Sequence, residues 1–243
     1  MQNTDIGWAH HTFSPWKSCC KVSEGCKNCY AEPLSFKFWG VRFGPNEPRI
    51  PMSDGYWKQL ARWDRAAAKL GEQHRVFVAS MCDVFDDQGI ESERKRLWDI
   101  IRTTPNLIYM ILTKRSENIA QMLPQDLQGA SNVWLGVSVE LQKWTVRIEH
   151  LLAVPAVVHF VSYEPILGSV DFTPYFARGL NWLIAGGESG KNHRPMFYPS
   201  FHWACQQAIE AGCALYVKQD SGPEDGMQGR IPDDLWAYTQ HPA

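Results

Sequence analysis

What this chain of 243 residues lacks narrows its function before any motif is weighed. It has no apolar run near the roughly eighteen residues that a bilayer-spanning helix needs, so a soluble protein is expected. It also lacks an excess of either charge: 24 Lys and Arg stand against 26 Asp and Glu, a formal net charge of −2. That excludes the broad basic field of a dedicated nucleic-acid binder and leaves room only for a local basic groove. The opening residues, Met1 to Asp5, read as polar, so no secretory leader is expected. Seven cysteines, an odd number, make a poor disulfide framework, so a reduced, cytoplasmic protein is expected. Internal repeats, low-complexity tracts and long charge runs are missing as well.

What is present is enough apolar sequence, 44% of the residues including eleven tryptophans, to bury a full core. A single domain over residues 1–243 is expected. Short β-branched runs recur at Arg75–Ser80, Leu107–Leu112, Val133–Ser138, Val157–Ser162, Leu180–Ala185 and Ala214–Lys218, with Ile6–Phe13 as a less regular seventh. Between them, 56–70, 90–103, 116–122, 141–152 and 201–211 carry apolar residues at helical spacing. Alternation of strand and helix predicts an α/β fold of about six to seven parallel strands with right-handed crossovers, curled into a partial (β/α) barrel. Residues 39–54, with Pro45, Pro48 and Pro51, read as a loop insertion. Residues 220–243, rich in Gly, Pro and Asp, read as a tail packed across the barrel.

The most specific signal is a cluster of cysteines, Cys20-Lys-Val-Ser-Glu-Gly-Cys26-Lys-Asn-Cys29-Tyr30-Ala31. Fully protein-ligated 4Fe–4S clusters take four cysteines, so a set of three leaves one iron free to hold a small molecule. A structural zinc site with His10 or His11 as fourth ligand is the plainer alternative, because Cys3His sites are common. The spacing weighs against it: there is one Cys-x2-Cys knuckle with no second one downstream, and Cys82, Cys205 and Cys213 are scattered singly.

In parallel α/β folds, ligands lie beyond the carboxyl ends of the strands. Here all six clear runs end in polar residues: Ser80 with Asp83, Thr113-Lys114-Arg115, Ser138 with Glu140, Ser162 with Glu164, Gly186-Gly187-Glu188, and Lys218-Gln219-Asp220. A single such residue is as readily a helix cap. Six together suit a zwitterionic ligand that carries a ribose. The candidate binding residues are therefore Tyr30, Ser80, Asp83, Lys114, Ser138, Glu140, Glu164 and Glu188, facing Cys20, Cys26 and Cys29 across one cavity.

The cysteine run resembles the cluster loop of radical S-adenosylmethionine (SAM) enzymes, usually Cys-x3-Cys-x2-Cys followed by an aromatic residue, with the first gap widened here to five. The wider gap is similar to that of a phage-associated radical-SAM-like family, whose loop reads roughly Gly-Cys-x-Lys-Val-Ser-x-Gly-Cys-x-x-Cys-Tyr-Ala; Cys19 stands in place of the glycine. Phe77–Asp83, Leu112–Arg115, Val133–Ser138 and Gly186–Gly190 resemble further motifs of that family, in the same order. The resemblance implies a 4Fe–4S cluster on Cys20, Cys26 and Cys29, SAM held on the free iron, and an external reductant supplying one electron. The radical so released would abstract hydrogen from the substrate. It further implies isomerisation of a glycine-bearing thymidine in viral DNA, from nitrogen-linked to carbon-linked, in the host cytoplasm. Two alternatives stay open: a radical-SAM repair lyase for pyrimidine photoproducts, with Cys82 as hydrogen donor, and a non-enzymatic accessory protein built on zinc. For a DNA-borne substrate, the candidate contacts are Arg42, Arg49, Lys191, His193 and Arg194, with Trp39 and Phe43 for stacking.

Overall fold

The computed structural model describes Thr4 and residues 6–242. Its strands are β1 (His11–Phe13), β2 (Trp16–Lys17), β3 (Ile50–Pro51), β4 (His74–Val78), β5 (Leu107–Thr113), β6 (Val133–Ser138), β7 (Val158–Tyr163), β8 (Leu180–Gly186) and β9 (Ala214–Gln219). Its α-helices are α1 (Ala31–Trp39), α2 (Asp54–Leu70), α3 (Glu91–Thr103), α4 (Ile119–Met122), α5 (Val146–Leu152), α6 (Thr173–Phe176), α7 (Tyr198–Glu210) and α8 (Asp233–Trp236). Seven strands form one sheet in the order β1-β4-β5-β6-β7-β8-β9. Every neighbouring pair in it is parallel.

Strands that follow one another in space as they do in sequence, with crossovers of one hand, have their helices on one face, and the sheet curls away from them. Alternation along each strand then divides the core in two. Val76, Val78, Tyr109, Ile111, Leu135, Val137, Val161, Leu183 and Leu215 point outward, joining Trp57, Leu60 and Trp63 of α2 and Leu97, Trp98 and Ile101 of α3. Phe77, Met110, Trp134, Phe160, Trp182, Ile184 and Tyr216 point inward with Trp8. The curl is read directly from Trp8, whose ring centre lies 4.6 Å from Phe77 on β4 and 6.0 Å from Trp182 on β8. In a flat sheet those strands, four apart, would be about 19 Å from each other at the ~4.8 Å strand spacing. The architecture is a curled α/β half-barrel plugged by aromatics.

Several sequence expectations change at their edges. The Ile6–Phe13 strand is reduced to His11–Phe13, because the Ala9 N–H turns back to the Ile6 carbonyl (3.0 Å) and takes the chain out of strand geometry. The 141–152 helix opens as a 3-10 turn, Gln142–Thr145, before α5. Within the 39–54 loop, Ile50–Pro51 pairs antiparallel with Trp16–Lys17, and Ser53 caps α2 by accepting from the Tyr56 N–H. The tail bridges Tyr216 to Thr239 antiparallel and returns the Tyr238 carbonyl to the Val217 N–H (2.8 Å), covering the open edge of β9. Among the described residues, no helix is long and apolar enough to cross a membrane.

Gly136 on β6 is where the plug is tightest: a Cβ there would fall 2.3 Å from two carbons of the fully buried Phe160 ring. Gly136→Ala is expected to cost about 1–3 kcal/mol by overpacking. A lowered urea midpoint at unchanged slope would show it, and adding Phe160→Leu should recover part of the loss.

Candidate functional site

The cysteine loop leaves β1, passes β2 and lies over the carboxyl ends of the sheet. Ser18 turns it with a φ of 85°, and its hydroxyl donates to the Arg42 carbonyl (2.8 Å). From there four of the strand ends contribute a fastening. Past β5, Arg115 donates to the Cys20 carbonyl (3.0 Å). Past β6, Glu140 accepts from the Ser23 hydroxyl (2.8 Å). Past β8, Glu188 accepts from the Asn28 amide (3.0 Å), which also donates to the Asn192 carbonyl (2.8 Å). Lys143 and the Trp144 indole hold Glu24, and the Tyr30 hydroxyl donates to the Ser80 carbonyl (3.2 Å).

Burial makes these fastenings strong and specific. Glu140 is fully buried (0%), bridging Ser23, Arg147 (3.0 Å) and Lys114 (3.5 Å). The loop backbone runs so close that a Cβ on Gly25 would fall 2.3 Å from a Glu140 oxygen, a fit that only glycine permits. Burial opposes the Lys114 ammonium most strongly, but Glu140 together with Cys26 and Cys29 outweighs it and holds the pKa above its ordinary value. Burial likewise pushes the Glu188 carboxyl up, yet Arg194 and Asn28 outweigh it and hold the group below the usual carboxylate range. The cysteines differ among themselves: burial and Asp83 push the Cys19 thiol up to about 12, and burial raises Cys29.

Beneath the loop is a cavity of about 440 Å³ with an aromatic floor of Trp8, Phe77 and Tyr216. Its walls carry Lys114, Ser138, Ser162, Glu164, Glu188 and Lys218, and its lid includes Gly25, Asn28, Cys29 and Tyr30. Glu164 accepts from the Ser162 hydroxyl (3.1 Å) and lies 2.9 Å from the Lys218 ammonium. Outside, a groove of about 810 Å³ between α1, Lys191 and Asp225 shares Asn28, Cys29 and Tyr30 with the cavity.

Of the eight candidate binding residues, Tyr30, Lys114, Ser138, Glu164 and Glu188 line this cavity. Ser80 meets Tyr30 only through its carbonyl, and Glu140 lies behind the loop as its anchor. Asp83 is turned inward, where Thr113, the Phe85 and Lys114 N–H groups and Arg115 engage its two oxygens. Cys29 lines the cavity, while Cys20 and Cys26 lie within the loop. Strand-end position marked Arg115 and Lys218 in the sequence; nothing local marks Asn28 among the loop residues, or Trp8 and Tyr216, which arrive from distant segments.

Three expectations need correction. His10 and His11 are not beside the cysteines but at the opposite end of β1, where His10 accepts from the Arg75 N–H (2.8 Å) and His11 stacks on Trp63 (4.3 Å); they enter the strand that the loop leaves. Arg49 is not a free surface cation: it is buried, donating to Asp86 (2.8 Å) and to the Gly44 and Glu47 carbonyls. Cys82 packs against the outer core and is not part of the cavity wall, so it is not placed as a hydrogen donor.

Glu140→Gln should strand Arg147 without its counter-charge and cost about 3–5 kcal/mol in chemical denaturation. Glu188, with a depressed folded pKa, contributes stability above its unfolded value of about 4.3 and loses it as pH falls through the folded pKa. Glu188→Gln should therefore lower stability at neutral pH and flatten its decline as pH falls below about 5, as read by unfolding midpoints at fixed ionic strength.

Among solved structures, a cysteine-to-serine mutant of spore photoproduct lyase aligns with a TM-score of 0.48 at 14% identity, over 73% of this chain and 56% of that one. A double mutant of spore photoproduct lyase with bound AdoMet and dinucleoside spore photoproduct aligns with a TM-score of 0.44 at 12% identity, over 83% of this chain and 62% of that one. This chain thus spans less than two thirds of either protein. Both TM-scores lie below 0.5, and neither likeness carries an argument about activity. No curated protein matches the sequence. A family profile does, over residues 3–230. The chain belongs to DUF5131, a family described as protein of unknown function.

Proposed function

We propose that this chain is a radical-SAM-type enzyme that modifies nucleic acid. The observation that carries this reading is the seating of the cysteine loop. The loop holding Cys20, Cys26 and Cys29 is fastened across the carboxyl-end rim, so that Cys29 and Tyr30 cover a cavity walled by Lys114, Ser138, Ser162, Glu164 and Lys218. The donor set fits a 4Fe–4S cluster held by three cysteines. Among the described residues, no three His, Cys, Asp or Glu side chains converge on a single ion, and a cubane, whose thiolates bind separate irons, does not require it. Lys114 stands beside Cys26 and Cys29 as a cation able to offset thiolate charge. When bound, such a cluster would supply the electron that cleaves SAM and releases a hydrogen-abstracting carbon radical. The chain's own contribution is to orient: hydroxyls, carboxylates and lysines fix a polar ligand above an aromatic floor, and the loop covers one side of it.

Support for a nucleic-acid substrate comes from α1. Phe36, Phe38 and Trp39 are 52%, 61% and 41% exposed. Each has a cation over its ring, Arg42 at 4.9 Å, Lys37 at 5.4 Å and Lys17 at 4.6 Å. Exposed rings interleaved with cations suit a single strand, offering stacking to bases and charge to phosphates. Phe36 and Arg42 line the outer groove with Lys191 across it, and they stand in for the contacts expected at Arg49 and at Arg194, which is paired with Glu188 (2.6 Å). The finer reading, isomerisation of a glycine-bearing thymidine in viral DNA with an external one-electron donor, rests on the motif resemblance.

Cys20→Ala, Cys26→Ala and Cys29→Ala should each abolish iron binding, and Cys19→Ala should keep it. Iron and sulfide assays on anaerobic protein read this, and loss in Cys19→Ala with retention in Cys20→Ala would move the ligand set by one residue. For the substrate, reduced cluster-loaded enzyme and SAM are incubated with modified duplex, modified single strand and free nucleoside. The expected result is 5′-deoxyadenosine with a mass-neutral product from the single strand. Turnover of the nucleoside alone would reject DNA, and a changed mass would reject isomerisation.

A further inference from the structure

Cys19 and Cys20 are adjacent thiols, and either would complete a three-cysteine set by spacing alone. Their surroundings differ. The Cys19 sulfur lies 3.8 Å from a guanidinium nitrogen of Arg115 and 3.6 Å from the Cys20 carbonyl. Among the described residues, the hydrogen bond of the Cys20 sulfur is to the Lys21 carbonyl, at 3.7 Å, in an exposed contact. Arg115 itself is almost fully buried (5%) at the end of β5 and cannot follow a moving loop. One of its terminal nitrogens is 3.1 Å from Asp83 and the other 3.5 Å from Asp86. Asp86 is in turn fixed by Arg49 at 2.8 Å, and Arg49 also holds the Gly44 carbonyl. The Gly44 N–H returns to the Cys19 carbonyl (2.9 Å). Cys19 is therefore gripped through its sulfur by Arg115 and through its carbonyl by the 39–54 loop, while Arg115 takes the Cys20 carbonyl at 3.0 Å and leaves the Cys20 sulfur outside.

We infer that Arg115 is a positioning residue that selects Cys20 over Cys19, by holding the Cys19 thiol against the buried Asp83–Arg115–Asp86 network and fixing the Cys20 peptide so that its thiol is presented outward. What Cys20 then ligates rests on the cluster reading above; the selection itself does not. Lysine is an informative replacement, since its ammonium keeps the charge beside Asp83 but lacks the planar fork needed to reach two carboxylates and the Cys20 carbonyl together.

The experiment labels the full chain, freed of iron by chelation under anaerobic conditions, with iodoacetamide and follows each cysteine by tandem mass spectrometry. In the wild type, Cys20 should react faster than Cys19 by roughly tenfold or more, since burial against Asp83 shields the Cys19 sulfur and disfavours its thiolate while the Cys20 sulfur lies in an exposed contact. In Arg115→Lys, Cys19 labelling should rise and the ratio should narrow, with Cys205 and Cys213 staying as slow as before. Equal rates in the wild type would overturn the proposal without any variant having to fold. So would an unchanged ratio in Arg115→Lys, or a rise at all the buried cysteines together, which marks general loosening. Iron and sulfide content after reconstitution is read in parallel. If the ratio shifts as expected but neither protein takes up iron and sulfide, the cluster reading fails and the selection stands. If iron is bound and the ratio does not respond, the selection fails and the cluster reading stands.

Discussion

Each strand of the main sheet runs parallel to its neighbour and next to it in sequence, and the rest of the molecule follows from that constraint. It gathers all the carboxyl ends on one rim, so loops far apart in the chain meet there. Successive crossovers of one hand keep the helices on the outer face, so the inner face is left to curl. The barrel does not close by hydrogen bonding. Trp8 closes it instead by lying against Phe77 and Trp182, and the chain's end assists, with the Gln240 carbonyl accepting from the Trp182 indole (2.9 Å). The inner face has an aromatic plug below and polar side chains above, and the boundary between them is the floor of the cavity.

The cysteine loop has little regular structure of its own, one 3-10 turn at Glu24–Cys26, and few apolar contacts. Its shape is borrowed from the rim through charged groups withdrawn from water. Glu140 and Arg115 each satisfy a buried partner and reach the loop besides, and Glu188 does the same from a pair with the half-buried Arg194. Such arrangements are costly to break, because removing one partner leaves the other unsatisfied in a low-dielectric interior. A flexible cysteine segment is thereby held in one conformation before any ligand arrives, which lowers the ordering cost of binding one.

The same division separates anchoring from contact within the site. Asp83 and Glu140 end strands as the cavity-lining residues do, yet their oxygens are engaged by protein donors behind the loop. Ser138, Ser162, Glu164 and Lys218 face the space itself. Gly186 belongs to this second group through what it lacks: a Cβ there would fall 2.8 Å from Glu164, so the glycine makes room for a carboxylate rather than touching a ligand.

Periodicity and strand-end chemistry were enough to determine much of this protein from its sequence. Near-continuous apolar runs separated by helical stretches point to parallel strands, because strands buried on both faces read that way, and six of them reappear within a residue or two of their expected bounds. The cysteine spacing singled out the loop, and the polar residues after each strand singled out the rim. Tertiary structure alone decided which strand-end residues face the cavity and which hold the loop, since both kinds occupy equivalent positions in the chain and differ only in what is packed behind them. It also decided that Arg49, polar and loop-borne, is buried, and that His10 and His11, nine residues or more from the cysteines, stand at the other end of their strand. Sequence separation sets how far a chain reaches; direction through space is set by the sheet, which sends β1 from the histidines toward the rim.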